Sequence, residues 1–238
     1  MGDDLRFLDW HLYARLDSLW VKLFEEESDR TIQVLLDCSA SMHGEKLDYA
    51  RQAAAALSYV ALGRSDRVVV AGLNDRLAHY SPARRGRSAA KALFDSLVTI
   101  PAGGPTNIPR AVSNYPRQRG AGIGLFFTDF LFEEGVEPAL KKLLARGLEL
   151  HAFHVFSPAE IRPNLQGDLL LIDQETGEEL AITANAATLR RYTETVLSWA
   201  DDVESICRRL GVGYSRLITQ VPVEDLVMGD LRKQGVVS

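Results

Sequence analysis

Short apolar segments alternate along the chain with longer stretches in which apolar residues recur three and four positions apart. The short segments are rich in β-branched and aromatic residues, which indicates strands buried on both faces. They are residues 31–37, 67–73, 122–129 and 148–156. The longer stretches have the spacing of amphipathic helices; they are residues 46–62, 89–97 and 138–147. Strands that alternate with helices predict an α/β fold, with a mostly parallel sheet covered by helices on both faces.

Residues 75–80 depart from this alternation. They form another strand-like segment, but only Asn74 separates them from the preceding strand. A parallel neighbour needs a much longer crossover, so this segment is predicted to be an antiparallel edge strand. The basic stretch that follows contains Arg84, Arg85 and Arg87 and is predicted to be a solvated loop.

Two hairpins are predicted outside this core. Residues 1–29 contain two apolar stretches around a turn-like segment, which indicates an N-terminal β-rich extension. Further along, two strand-like stretches flank a turn that contains Gly177, and a long helix at about 185–210 follows and is expected to dock on the sheet. We therefore expect the extension to precede a core of residues 30–160. Residues 161–238 would complete the same domain with the second hairpin, the long helix and a final strand and helix.

Composition and charge exclude several classes of protein. The net charge of −5 argues against a nucleic-acid partner, because nucleic-acid-binding proteins usually carry a basic imbalance. The two cysteines, Cys38 and Cys207, are too few for a disulfide framework or a zinc cluster, and they fit a reducing compartment. The sequence contains no apolar run of about 18 residues, so no membrane span is predicted. Its acidic N-terminus is unlike a signal peptide, and we expect a cytoplasmic protein.

Oxygen-bearing side chains follow two of the predicted strands. Asp37 ends the first core strand, and Ser39 and Ser41 follow it at alternate positions. Asp129 ends a later strand, and Thr106 lies in a glycine-containing loop between the two. Ligands of open parallel sheets gather at the carboxyl ends of the strands, so these five side chains would face one crevice if the two strands are neighbours. A capping role explains any one of them, whereas the whole set predicts a site for a hard cation.

The pattern Asp37-x-Ser39-x-Ser41, followed by Thr106 and Asp129, resembles the metal-ion-dependent adhesion site of von Willebrand factor type A (vWA) domains. Segments along nearly the whole chain are also similar to the bacterial domain-of-unknown-function 58 (DUF58) family; they include "GDDLRFLDW", "LLDCSASM", "KLDYA" and "LIDQETGEE". The resemblance implies a three-layer, Rossmann-like vWA fold. Its mostly parallel sheet would have one antiparallel edge strand, with N-terminal and inserted β-hairpins added to it.

The resemblance also implies how a cation would be held. Ser39 and Ser41 would contact Mg²⁺ or Mn²⁺ directly, Thr106 would do so directly or through water, and Asp37 and Asp129 would act largely through water. Hydroxyl ligands leave the cation incompletely neutralised, so an open position can accept an acidic side chain from a partner protein. By resemblance, that partner is a MoxR-type AAA+ ATPase, beside which family members are often encoded. The expected function is therefore a metal-dependent protein-interaction module, an adaptor or co-factor with a chaperone-like or assembly role.

Two alternatives stay open at this point. A metal-assisted hydrolase would use Asp37 or Ser39, and a structural domain would retain the metal site only as a vestige. Aspartyl-type phosphatases usually carry a second acid two residues after the nucleophile, where this chain has Ser39. The sequence also lacks a G-x-S-x-G nucleophile elbow, and His151 and His154 are predicted to point to opposite faces of one strand. We therefore expect a protein that is not an enzyme.

Overall fold

The computed structural model describes residues 30–118, 122–172, 177 and 179–225. The strands of this part are β1 (Thr31–Asp37), β2 (Arg67–Leu73), β3 (Leu77–Arg85), β4 (Gly122–Thr128), β5 (Leu148–Phe156), β6 (Gly167–Ile172), β7 (Glu179–Ala184) and β8 (Gly213–Ile218). Six of them form one sheet in the order β3-β2-β1-β4-β5-β8, and β6 and β7 form a separate two-stranded hairpin.

Helices connect most of these strands. They are α1 (Glu45–Gly63), α2 (Ala90–Val98), α3 (Ile108–Ser113), α4 (Val136–Leu144), α5 (Pro158–Ile161), α6 (Ala186–Arg209) and α7 (Val223–Asp225), with a 3₁₀ turn at Arg87–Ala89. Polar side chains fix where some of them begin. The Asn185 side chain accepts the free N–H groups of Ala187 and Thr188 at the start of α6, and such a cap satisfies donors that the helix itself leaves unpaired.

The main sheet is parallel except at one edge. Strand β1 pairs in parallel with β2 and β4, and the parallel pairing continues through β5 to β8. Strand β3 pairs antiparallel with β2. The predicted fold class is therefore confirmed: a mixed α/β chain with a mostly parallel sheet, one antiparallel strand and a separate inserted hairpin.

Helices cover both faces of the sheet, as buried strands require. Adjacent residues of β1 point into different cores: Leu36 packs in the core under α1 and α2, and Leu35 in the core under α3, α4 and α6. The first core contains side chains from both of its helices, among them Leu47, Leu57, Leu93 and Leu97. The second contains Ile108, Val112, Leu140 and Val203. This three-layer arrangement leaves the strand ends free for loops.

The edge strand is longer than the sequence indicated. Arg84 lies opposite Val68 and Arg85 opposite Arg67, so both arginines belong to β3. The expectation of a solvated loop was therefore wrong for these two residues. Strand pairing continues past Pro82 because the register shifts in that region, and proline is tolerated on an edge strand or at a bulge.

Helix α6 docks on the sheet through its second half. Its fully buried residues are Ala200, Val203 and Cys207, whereas Tyr192 and Leu197 in the first half are each 43% exposed. A helix of this length spans about 36 Å, more than the roughly 20–30 Å of the strands in the main sheet. The first half of α6 is therefore more exposed than the half that packs on the sheet.

The predicted N-terminal extension, residues 1–29, lies outside the described residues, as does the greater part of the predicted final helix. In the ranges that the structure describes, none of the helices combines the length and apolar character needed to cross a membrane.

Candidate functional site

Strands β1 and β4 are neighbours, which places their carboxyl ends side by side. Leu36 lies opposite Phe127, so Asp37 reaches the level of Thr128. The Thr128 hydroxyl donates to Asp37 Oδ2 at 2.7 Å, and the Ser39 backbone N–H donates to Asp37 Oδ1 at 3.0 Å. Both oxygens of this fully buried carboxylate are thereby fixed in position.

The two serines of the motif lie next to each other after β1. Ser39 Oγ and Ser41 Oγ are 3.1 Å apart, within hydrogen-bonding distance. Ser39 is fully buried and Ser41 is half-buried. The structure therefore brings Asp37 and the two hydroxyls into one cluster, as the sequence predicted for residues at these positions.

The glycine-containing loop that carries Thr106 is attached to the loop after β1. Gly103 N–H donates to the Cys38 carbonyl at 2.8 Å, and Ala40 N–H donates to the Gly104 carbonyl at 2.9 Å. Both glycines have positive φ, +119° and +86°, which a residue with a Cβ adopts only under strain. These bonds hold the loop against the Asp37–Ser41 segment, and Thr106 two residues later is buried.

Asn74, in the β2–β3 connection, also forms hydrogen bonds that hold the loop containing Thr106. Its side-chain amide donates to the Gly103 carbonyl at 2.9 Å, and its own carbonyl accepts the Asn107 N–H at 3.0 Å. The sequence pattern showed Asn74 only as a short connection, so its part in positioning Thr106 was missed. We call the edge formed by Asp37, Ser39, Ser41, Thr106 and Asp129 the crevice.

Asp129, the residue directly after β4, is paired with a buried lysine. Lys46 Nζ donates to Asp129 Oδ2 at 2.8 Å and to Glu160 Oε1 at 2.5 Å. Asp129 Oδ1 accepts the Leu131 backbone N–H at 3.2 Å. The same lysine therefore joins the crevice to α5, the short helix after β5 that contains Glu160.

The roles of Lys46 and Glu160 at the crevice were not predicted from the sequence, although each residue lies in a recognisable local pattern. Lys46 stands four residues before Ala50 on the apolar face of α1, and a charged residue on a buried face needs a partner. Glu160 follows Ser157 with the spacing of a capping box. Glu160 Oε2 accepts the Ser157 N–H at 2.7 Å, and Ser157 Oγ accepts the Glu160 N–H.

Electrostatics differ between the two carboxylates of the crevice. Burial raises the pKa of Asp37 to about 7, repulsion from Asp129 adds to the rise, and the hydrogen bonds from Ser39 and Thr128 oppose it. Burial also acts to lower the pKa of Lys46, but the carboxylates of Asp129 and Glu160 outweigh it and raise that pKa. Asp129 thus has an ammonium partner, while burial disfavours the charged form of Asp37.

Cys38 lies beside the crevice without taking part in its chemistry. Burial, followed by repulsion from Asp37, raises the pKa of its thiol to about 12. Its thiol donates to the Leu73 carbonyl at 3.4 Å. A thiol in this state is a poor nucleophile, in agreement with the role of a small buried side chain.

The donor set of the crevice is rich in hydroxyls. Within the described ranges, no group of three or more His, Cys, Asp or Glu side chains is arranged to hold a metal ion. A cation at the crevice would instead rely on two serines and a threonine, with one carboxylate on each of the two strand ends. Such a set suits a hard cation that prefers oxygen and keeps several waters.

Comparison with known proteins places the chain in a family. The family described as "Protein of unknown function DUF58" matches residues 1–199. The chain belongs to the DUF58 family.

Individual relatives are distant. The uncharacterized protein Rv1480 of Mycobacterium tuberculosis is 26% identical over 92% of this chain and 71% of its own length. Among solved structures, the conserved hypothetical protein BatB from Bacteroides thetaiotaomicron is 16% identical, with a TM-score of 0.47 over 87% of this chain and 98% of that one. An aerotolerance-related membrane protein from Bacteroides fragilis is 19% identical, with a TM-score of 0.45 over 79% of this chain and 90% of that one.

Proposed function

We propose that this DUF58 protein is a vWA-like, metal-dependent protein-interaction module. Its crevice would bind Mg²⁺ or Mn²⁺ and, through the cation, an acidic side chain of a partner protein. The observation that carries the proposal is the pair of hydroxyls, Ser39 Oγ and Ser41 Oγ, 3.1 Å apart beside the buried Asp37 carboxylate. Ser39 and Ser41 would contact the cation, Thr106 directly or through water, and Asp37 and Asp129 through water.

The charge of the crevice supports a cation there. A buried carboxylate is costly unless a positive charge compensates it, and the pKa of Asp37 is raised to about 7 mainly by burial. A divalent cation beside Asp37 would stabilise its ionised form. Because the nearest ligands are uncharged hydroxyls, the bound cation would keep enough positive charge to act as a Lewis acid toward a carboxylate oxygen.

The contacts favour binding over catalysis. Both oxygens of Asp37 accept hydrogen bonds, from Ser39 and Thr128, which suits a fixed ligand better than a nucleophile. The buried histidines of β5 are engaged away from Ser39: His151 with the Ser215 hydroxyl and His154 with the Tyr214 hydroxyl. We therefore propose that the protein is not an enzyme. The alternatives are a metal-assisted hydrolase that uses Asp37 or Ser39 and a structural domain with a vestigial metal site, and a Mn²⁺ titration and a pull-down distinguish them.

We further propose that the partner is a MoxR-type AAA+ ATPase, on the strength of the family resemblance, and that the pair acts in the cytoplasm in an assembly or chaperone-like role. The chemistry required of the partner is an exposed Glu or Asp that can reach the open position on the cation. A partner of this kind leaves the cation short of one ligand when the protein is alone, so the isolated chain is expected to bind Mn²⁺ weakly.

Calorimetric titration with Mn²⁺ tests the site. The wild-type chain is expected to bind, and Asp37→Ala to lose binding, because it removes the carboxylate that lies beside both serines. Asp95→Ala is the matched control, since Asp95 lies on the exposed face of α2 and pairs with Lys91 there. Unchanged Mn²⁺ affinity in Asp37→Ala would contradict the proposed site.

A pull-down with the MoxR-type ATPase of the same organism tests the function. Binding is expected in Mg²⁺ and not in EDTA, and it should be lost in Ser39→Ala and Thr106→Ala while their circular dichroism spectra stay native. A screen with phosphate and acyl esters runs in parallel. Turnover that disappears in Ser39→Ala would favour the hydrolase, and partner binding in EDTA would favour the vestigial site.

A further inference from the structure

Lys46 supplies a positive charge of the chain's own at the edge of the crevice. Its ammonium lies 2.8 Å from Asp129 Oδ2 and 2.5 Å from Glu160 Oε1. The side chains of Lys46 and Asp129 are 6% and 4% exposed, and that of Glu160 is 33% exposed. One ammonium is thus shared between a buried carboxylate of the crevice and a more exposed carboxylate outside it.

We propose that Lys46 competes with the divalent cation for Asp129, and that Glu160 is the carboxylate that retains Lys46 when the cation is bound. This inference rests on the proposed metal site. It assigns two residues to opposite tasks: Lys46 weakens metal binding, and Glu160 strengthens it by acting on Lys46.

The charges of the region support this division. Asp37, Asp129 and Glu160 contribute three negative charges when ionised, and Lys46 contributes one positive charge, which leaves a balance that one divalent cation would neutralise. A cation held by Ser39 and Ser41 would attract Asp129 through water and repel the Lys46 ammonium that is paired with it. For both cations to remain, the ammonium must shift its hydrogen bonds away from Asp129.

Glu160 is positioned to keep the Lys46 ammonium paired after that shift. Its other oxygen, Oε2, accepts the Ser157 backbone N–H at 2.7 Å, so the carboxylate is held in place at the start of α5. The lysine ammonium has three N–H donors and can stay paired with Glu160 alone. The Asp129 carboxylate is then free to act on the cation through water, and the buried lysine keeps a carboxylate partner.

Helix α5 is also hydrogen-bonded to α6. Helix α5 contains Glu160 and ends at Ile161, whose carbonyl accepts the Thr193 hydroxyl of α6 at 3.1 Å. Glu160 is therefore next in the chain to a residue that is hydrogen-bonded to the first half of α6, the more exposed half of that helix.

Mn²⁺ titration of the full chain, followed by calorimetry, tests the competition. Lys46→Met is expected to bind Mn²⁺ at least about tenfold more tightly than wild type, because it removes a positive charge adjacent to the site. Glu160→Gln is expected to bind several-fold more weakly, because Lys46 then keeps Asp129 as its only carboxylate. In the double variant the Glu160→Gln effect should shrink, since it acts through Lys46. Lys91→Met, which removes an exposed lysine paired with Asp95, is the control and should match wild type.

If the ion pairs of Lys46 with Asp129 and Glu160 were purely structural, both single variants would weaken Mn²⁺ binding. Lys46→Met at or below wild-type affinity, or Glu160→Gln at or above it, would overturn the competition. If Lys46→Met does not fold, Lys46→Gln replaces it: this variant removes the charge but keeps a hydrogen-bond donor, and it too is expected to bind Mn²⁺ more tightly than wild type. Wild-type binding with an overturning result would leave the metal site intact and reject only this inference, whereas no Mn²⁺ binding in any variant would reject the proposed function itself.

Discussion

The carboxyl ends of β1 and β4 bury several polar and charged side chains, whereas the β6–β7 hairpin exposes several large apolar ones. Asp37 and Lys46 are 0% and 5% exposed, while Ile172 and Leu180 of the hairpin are 61% and 62% exposed. Charged residues are rarely buried unless they are paired, and large apolar residues are mostly inside. Both regions therefore depart from the usual distribution, in opposite directions.

The hairpin gains little from its apolar residues. Leu171 lies opposite Leu180 and Leu169 opposite Ile182, so one face is wholly apolar, and Leu170 is exposed on the other face. A two-stranded hairpin is at best marginally stable alone. Each cross-strand pair contributes only about 0.2–1 kcal/mol. Truncating a single side chain of the hairpin should therefore change the stability of the protein little.

The crevice depends instead on complete pairing. Its carboxylates are removed from water, so each must be compensated by an ammonium, a set of hydrogen bonds or a bound cation. Such an arrangement costs stability when any partner is removed. Single substitutions should therefore be tolerated in the hairpin and be destabilising in the crevice.

Replacing Lys46, the partner of Asp129, should have the largest effect on stability. In EDTA, Lys46→Met is expected to lower the free energy of unfolding by about 3–5 kcal/mol, because it leaves Asp129 buried without its ammonium. Lys91→Met is the matched control at an exposed helical pair and should change this quantity by less than about 0.5 kcal/mol. Urea denaturation measures both, and added Mn²⁺ should restore part of the loss in Lys46→Met. Equal stability of the two variants in EDTA would remove the basis of the comparison.

The same substitution at one leucine of each region sharpens the contrast. Leu36→Ala, next to Asp37 in a fully buried strand, should cost about 2–5 kcal/mol through lost burial and a cavity. Leu180→Ala in the hairpin should cost less than about 1 kcal/mol, since most of that side chain already contacts water. Thermal and urea unfolding of the two variants provide the measurement. A large loss in Leu180→Ala would mean that the hairpin is packed more tightly than its exposure indicates.

The alternation of apolar segments was sufficient to predict the sheet. Strands buried on both faces have an apolar run without interruption, and the short Asn74 connection identified the antiparallel edge. Residues 31–37 match β1 at both ends for this reason. Asp37 and Asp129 were predicted to share one crevice on the condition that their strands are neighbours, and β1 and β4 are paired in the sheet.

The partners of those residues were harder to predict, because they depend on contacts between distant parts of the chain. Lys46 and Asp129 are 83 residues apart, and Lys46 and Glu160 are 114 apart. No local pattern encodes such a pair beyond the charge on a buried helix face. The edge strand ran past its predicted end at Arg84 and Arg85 for a similar reason, since pairing with β2 overrode a composition typical of a loop.

The pH dependence of stability gives the smallest of these effects and isolates Asp37. Burial and the neighbouring Asp129 raise the pKa of Asp37 from 3.8 to about 7 in the folded protein. The folded state therefore binds a proton that the unfolded state has lost between about pH 4 and pH 7. This stabilising contribution is fully present below about pH 4 and is lost as the pH rises through about 7.

The buried histidines have the opposite effect on the pH dependence of stability. The pH profile of the wild type must therefore be compared with that of Asp37→Asn. Burial lowers the pKa of His151 to about 4 and that of His154 to about 3, which costs stability as the pH falls below their ordinary value of 6.5. Their contribution is common to both proteins and cancels in the difference. Between pH 5.0 and pH 6.5 in EDTA, the stability of the wild type should therefore fall by roughly 2 kcal/mol relative to that of Asp37→Asn, at about 1.4 kcal/mol per pH unit.

Saturating Mn²⁺ should make this stability difference independent of pH, because a cation at the crevice keeps Asp37 ionised across the range. Leu180→Ala in the hairpin should follow wild type at every pH, and parallel profiles for wild type and Asp37→Asn in EDTA would show that Asp37 does not titrate in this window.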